Sequence, residues 1–181
     1  MRIISSPLAI SLAALALTSC SSAPPEPAPA PQPVKPAATP APPPAPVQPR
    51  GNWTDWPIAP GDWVYREDAR GSLALFGPIG QPATVMIRCD RARRQIFLSR
   101  AGSVGTGATM VLRASAGFQS YPASNSGGTP PYASIPVSTG DIMLDRIAYS
   151  RGRFAIETSG LQSIAVPVWP EFSRVVEDCR G

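Results

Sequence analysis

Thirteen prolines stand in the thirty residues from Ser21 to Arg50, more than half of the 24 in this 181-residue chain. No other feature limits the fold as much. Proline lacks an amide N–H and fixes one backbone angle, so it removes hydrogen bonds from helices and sheets alike. Seven alanines fill much of the rest, and Glu26, Lys35 and Arg50 are the only charges there. Such a segment cannot bury a core and predicts an extended polyproline tether over 20–50. At ~3.1 Å per residue it would reach roughly 90 Å when fully extended. Pro-rich runs also dock into SH3-like grooves, but Ala-Pro repeats without a flanking basic specificity residue favour a spacer. A globular domain must therefore lie in 51–181, whose 131 residues are enough for one core.

The first twenty residues read as an address. Arg2 supplies a positive start, and Leu8 to Leu17 is a ten-residue apolar run. A bilayer-spanning helix needs about 20 residues, whereas this length suits the core of a signal peptide. Leu17-Thr18-Ser19-Cys20 follows. It resembles the lipobox of bacterial lipoproteins, as against an ordinary secretory signal with a chance Cys. The resemblance implies cleavage of 1–19 and acylation of Cys20, leaving a mature chain of 162 residues. Several acyl chains hold a protein stably, at ~0.8 kcal/mol per buried CH₂. Ser21, where Asp is absent, implies by the same resemblance the outer membrane of a Gram-negative cell.

The domain reads as short strands divided by turns. Candidate strands are Trp63-Arg66, Ser72-Phe76, Thr84-Cys89, Gln95-Ser99, Thr109-Ala114, Phe154-Thr158 and Ser163-Val168. Val85, Ile87 and Cys89 share one face; so do Met110, Leu112 and Ala114, and so do Phe154, Ile156 and Thr158. Period-two alternation marks strands with one buried side. Two segments have helical spacing. Asp141 can cap a short helix near 141–149, with Met143, Leu144, Ile147 and Ala148 on one face and an end near Gly152. Pro170 opens a second near 170–179, where Phe172, Val175, Val176 and Cys179 fall on one stripe. The expected fold is mainly β: an antiparallel β-sandwich or small open barrel with these two helices.

If Cys20 carries lipid, Cys89 and Cys179 remain. The compartment beyond the inner membrane is oxidising, and each Cys ends an inward-facing row. This favours a disulfide over a free thiol pair for redox or metal chemistry. Such pairs are closely spaced, and the chain has no His to complete a metal site.

The missing His also excludes a Ser-His-Asp triad, a Cys-His dyad and a histidine switch. The single Lys, Lys35, lies in the tether, which excludes a Ser-Lys pair in the domain. No pattern marks a carboxylate pair at a catalytic separation. The domain is therefore expected to be non-enzymatic and to need no cofactor. Gly102 to Gly107 is Gly-rich but lacks the Lys and following helix of a phosphate loop. Ser126 to Tyr132 is a long turn that could carry a binding function. Trp53 and Trp56 are expected to fold the end of the tether onto the domain, and Trp63 and Trp169 to lie in the core or at its edge.

The densest basic cluster is Arg88, Arg91, Arg93 and Arg94, with Arg100 beyond, on the hairpin between two candidate strands. It reads either as an anion clamp, for lipid phosphate, peptidoglycan carboxylate or an acidic partner, or as a solvated turn. The domain is nearly balanced, with 13 Arg against 11 acidic residues, and this favours the turn. The pI near 9.3 thus does not indicate nucleic acid.

A Cys ending an early strand, an alternating sheet and a late Phe154-Ala155-Ile156-Glu157 strand before a Cys-terminated end resemble two groups. One is the invasion-associated locus B family, with the type VI secretion accessory proteins like it. The other is the small lipoprotein inhibitors of C-type lysozyme. The inhibitors have Tyr two residues after a Ser-Gly; here Ser126-Gly127 reaches Tyr132 after four intervening residues. The expected function is binding or scaffolding of an envelope protein or peptidoglycan by a membrane-anchored protein facing the periplasm. The alternative is inhibition of a cell-wall hydrolase.

Overall fold

Alternation along the chain yields ten strands in two antiparallel sheets. The computed structural model describes residues 47–181. The expected signal at 1–19, Cys20 and the expected tether up to residue 46 lie outside the described residues. A meander of β1 (Asp62–Asp68), β2 (Gly71–Gly77), β3 (Val85–Asp90) and β4 (Gln95–Ala101) starts the larger sheet. The chain then crosses to the smaller sheet as the hairpin β5 (Thr109–Ala114) and β6 (Gly117–Pro122). It returns as β7 (Ser124–Asn125) and β8 (Tyr132–Ser138). After α1 (Ile142–Ala148), β9 (Arg153–Thr158) and β10 (Ile164–Pro167) complete the smaller sheet, and α2 (Pro170–Arg180) follows. The orders are β1-β2-β3-β4-β8-β7 and β10-β9-β5-β6. The sheets form a sandwich, not a closed barrel. Ala123 makes the corner where β6 leaves one sheet for the other, donating to the Ala108 carbonyl at 2.9 Å.

All seven expected strands form, but β6, β7 and β8 are additional. β6 carries one buried side chain, Tyr121, so it has too little apolar alternation to announce itself. Pro136 interrupts the pattern of β8. It is tolerated because β7 pairs only with Ala133 and Ser134, leaving that side of β8 open at Pro136. Gly61, at φ +129°, turns the chain into β1, and a Cβ there would overlap the Gly77 backbone.

The rows Val85-Ile87-Cys89, Met110-Leu112-Ala114 and Phe154-Ile156-Thr158 point into the core, as their spacing predicts. Ala155 faces the other way yet is also fully buried, because Trp56 covers it together with Ala165. Trp56 and the half-buried Trp53 thus fold the segment before β1 onto the smaller sheet. The attachment begins earlier than residue 51. The Gln48 side chain donates to the Leu161 carbonyl and accepts from the Ser163 amide, both at 2.8 Å. Ile58 then bridges Ala165 in parallel, and Ala59 donates to the Ala165 carbonyl at 2.8 Å. The edge of β10 is covered by the chain's own entry segment, which removes a template for unwanted pairing.

Asp141 caps α1, its Oδ1 accepting from the Met143 amide at 2.8 Å and its Oδ2 from the Tyr121 hydroxyl at 3.1 Å. The helix ends at Ala148, short of Gly152. Helix α2 buries Phe172, Val175, Val176 and Cys179, the predicted stripe, against β1 to β4. Its ring Phe172 lies 6.4 Å from Trp63 and 5.6 Å from Phe154, centroid to centroid, joining helix and both sheets. Trp63 is buried and donates to the Pro167 carbonyl at 2.9 Å, while Trp169 stays at the rim, 39% exposed. Cys89 and Cys179 form a disulfide, with Cα atoms 5.4 Å apart. Among the described residues no helix is long and apolar enough to cross a membrane.

Tyr65 on β1 fastens the outer side of α2. Its hydroxyl lies 2.8 Å from both the Glu67 and Asp178 carboxylates, and Arg174 covers its ring at 3.8 Å. Burial, then the two carboxylates, pushes its pKa from 10.0 up to about 12. The folded state therefore prefers the neutral phenol. Its contribution is complete below pH 10 and lost as pH rises from 10 towards 12. Tyr65→Phe should flatten the alkaline fall in urea midpoint across that window. An unchanged slope would show that Tyr65 carries no linkage.

Candidate binding surface

The outward face of the larger sheet mixes apolar side chains with serines and Arg88, and the strand register explains how it is assembled. Leu73, Arg88, Phe97 and Pro136 stand opposite one another across β2, β3, β4 and β8. Leu75, Met86, Ser99, Ser134 and Ser124 form the adjacent row, which runs on to β7. Between these rows lies a groove of about 430 Å³, walled by Met86, Phe97, Tyr132 and Pro136. Its floor is fixed by polar contacts. The Ser99 and Ser134 hydroxyls bond at 3.0 Å, and the Tyr132 hydroxyl donates to the Ala83 carbonyl at 2.8 Å. Ser126, at the start of the long turn singled out in the sequence, also borders it.

The arginine cluster does not converge. Arg88 and Arg93 reach the groove, joined there by Arg70. Arg91 turns to Glu67 at 3.6 Å, and Arg94, at φ +49°, reaches the Arg180 carbonyl at 3.5 Å. Arg100 points inward and donates to the Ala101 carbonyl at 3.0 Å; burial lowers its pKa. The physical reason is alternation. Arg88 and Arg100 lie on opposite faces of paired strands, and Arg91 to Arg94 occupy a turn in which successive side chains diverge.

Local carboxylates take up most of the remaining charge. Arg88 pairs with Asp68 at 2.8 Å, and its hydrogen bond holds that carboxyl below the usual range. Asp90 is buried, and burial alone would raise its pKa. The hydrogen bonds from Arg70 and the Arg93 amide, with the charges of both guanidinium groups, outweigh that and keep it low. The groove is thus an aromatic and aliphatic channel with a compensated, weakly cationic end, not an arginine clamp. The strand carrying Phe97 is expected from the sequence, but its outward face is not, because Ile96-Phe97-Leu98 is a continuous apolar run. Tyr132 and Pro136 are not legible, since they depend on β8.

The structure defines a disulfide-closed β-sandwich whose larger sheet has a grooved outer face. No family model, curated protein or solved structure matches the chain.

Proposed function

We propose that this is a lipid-anchored envelope protein that acts by binding, with Cys20 as the anchor and the outer groove of the larger sheet as the receiving surface. The lipobox-like Leu17-Thr18-Ser19-Cys20 supports the anchor. The single observation that carries the binding half is the groove itself. Phe97 and Tyr132 line it together with serines, and Arg88 and Arg93 border it as well. This combination suits saccharide rings that carry carboxylates, the chemistry of peptidoglycan. The lack of His, and of Lys in the domain, supports binding over catalysis.

Fractionation and wall binding test the two halves separately. Cys20→Ala should move the protein from the membrane to the soluble periplasmic fraction; continued tight membrane retention would overturn the anchor. The soluble domain should sediment with purified peptidoglycan. Phe97→Ala should weaken this roughly two- to tenfold, the equivalent of losing about 0.5–1.5 kcal/mol of aromatic contact. Failure to sediment, or crosslinking in whole envelopes to a cell-wall hydrolase alone, would overturn the wall-binding reading.

A further inference from the structure

The smaller sheet has its own concave site on its outward face. Arg113 on β5 stands opposite Ala155 on β9, so Arg153 and Glu157 are its diagonal neighbours. Arg113 Nε donates to Glu157 Oε1, and its guanidinium lies 4.9 Å from the centroid of the Phe118 ring. Arg153 is steadied by donating to the Trp56 carbonyl at 2.8 Å. Arg151, on the turn after α1, is positioned through its amide, which donates to Ser115 Oγ at 2.8 Å. These three arginines, with Trp53 and Phe118, line a cavity of about 510 Å³.

Its charge is unbalanced, in contrast to the groove on the larger sheet. The lining includes three arginines and no acidic residue. Glu157 lies on the same face, in the lining of the neighbouring pocket, and engages Arg113 through Nε, which leaves the other guanidinium nitrogens of Arg113 for another acceptor. Among the described residues Arg151 and Arg153 form no ion pair. Like charges held together in this way repel unless an anion joins them, and a guanidinium fork matches the oxygens of phosphate. Trp53 and Phe118 add apolar lining.

We infer that this cavity binds a phosphate group carried on a sugar or on a lipid headgroup. Trp53 and Phe118 contact the attached moiety, and Arg113, Arg151 and Arg153 hold the oxygens. The site is separate from the wall-binding groove, so either stands if the other fails.

Calorimetry with inorganic phosphate tests the shared chemistry. Phosphate should bind, more weakly as salt rises. Arg151→Gln and Arg153→Gln should each weaken it about tenfold or more. Arg91→Gln, on the other sheet, should leave it unchanged. Arg151 is exposed, so its variant should keep the wild-type melting temperature. Glucose 6-phosphate binding more tightly than phosphate, with the advantage lost in Trp53→Ala, would assign the site to a sugar phosphate. Sedimentation with phosphatidylglycerol vesicles but not phosphatidylcholine vesicles, lost in Arg151→Gln, would assign it to a headgroup. No binding of any of the three probes, or binding indifferent to both arginine variants, would overturn the inference.

Discussion

Reducing the Cys89–Cys179 bridge should lower the domain's stability by roughly 4–5 kcal/mol, the chain-entropy value for a loop of this length. The cysteines are 90 residues apart, so the bridge closes most of the domain into one loop and restricts the unfolded chain accordingly. In a domain of this size the loss corresponds to a fall in melting temperature on the order of 15 °C. Calorimetry of oxidised and reduced protein, with a Cys89→Ala/Cys179→Ala variant as control, measures it. The reduced wild type and the variant should agree. A change of only a few degrees would mean that the helix is already fixed without the bridge.

Phe172→Ala should cost about 3–5 kcal/mol, the range for removing a fully buried aromatic side chain. Phe172 has no exposed surface. Its ring meets Trp63 from the larger sheet and Phe154 from the smaller, and Trp63 in turn meets Phe76 at 5.3 Å. Truncation would leave a void where helix and both sheets touch, and these walls belong to paired strands that cannot readily collapse inward. Urea midpoints at constant slope would report it. Combined with reduction, the loss should differ from the sum of the two separate losses, since both changes release the same helix. A cost below about 1 kcal/mol would show that α2 merely rests on the sandwich.

Much of this architecture is legible in the residues. Val85, Ile87 and Cys89 announce an inward row because side chains alternate along a strand. Phe172, Val175, Val176 and Cys179 announce a helix stripe because they recur at its period, and the two rows end at the residues that join. The functional surfaces are harder to read. The groove needs Phe97 from β4 beside Tyr132 and Pro136 from β8, a strand whose signal Pro136 breaks. The arginine-lined cavity needs Arg113 beside Arg151 and Arg153, which the β5–β9 register and the Arg151–Ser115 contact bring together. The opposite error has the same root. Arg88 to Arg94 look concentrated because they are neighbours in the chain, yet a turn and an alternating strand send them in different directions.

The way the chain enters the domain has a mechanical consequence. Among the described residues, a force transmitted along the N-terminal segment meets the contacts of Gln48, then Trp56 and the Ile58–Ala165 bridge. These contacts form a sequence of small releases ahead of β1, so a pull would be absorbed by peeling this segment before it strains the core. The extension also has a limit. Because Cys89 is joined to Cys179, traction from that end cannot draw out the chain between them. Phe97, Tyr132 and Pro136 lie inside the closed loop, so most of the groove is held in the part of the protein that such a load cannot unravel.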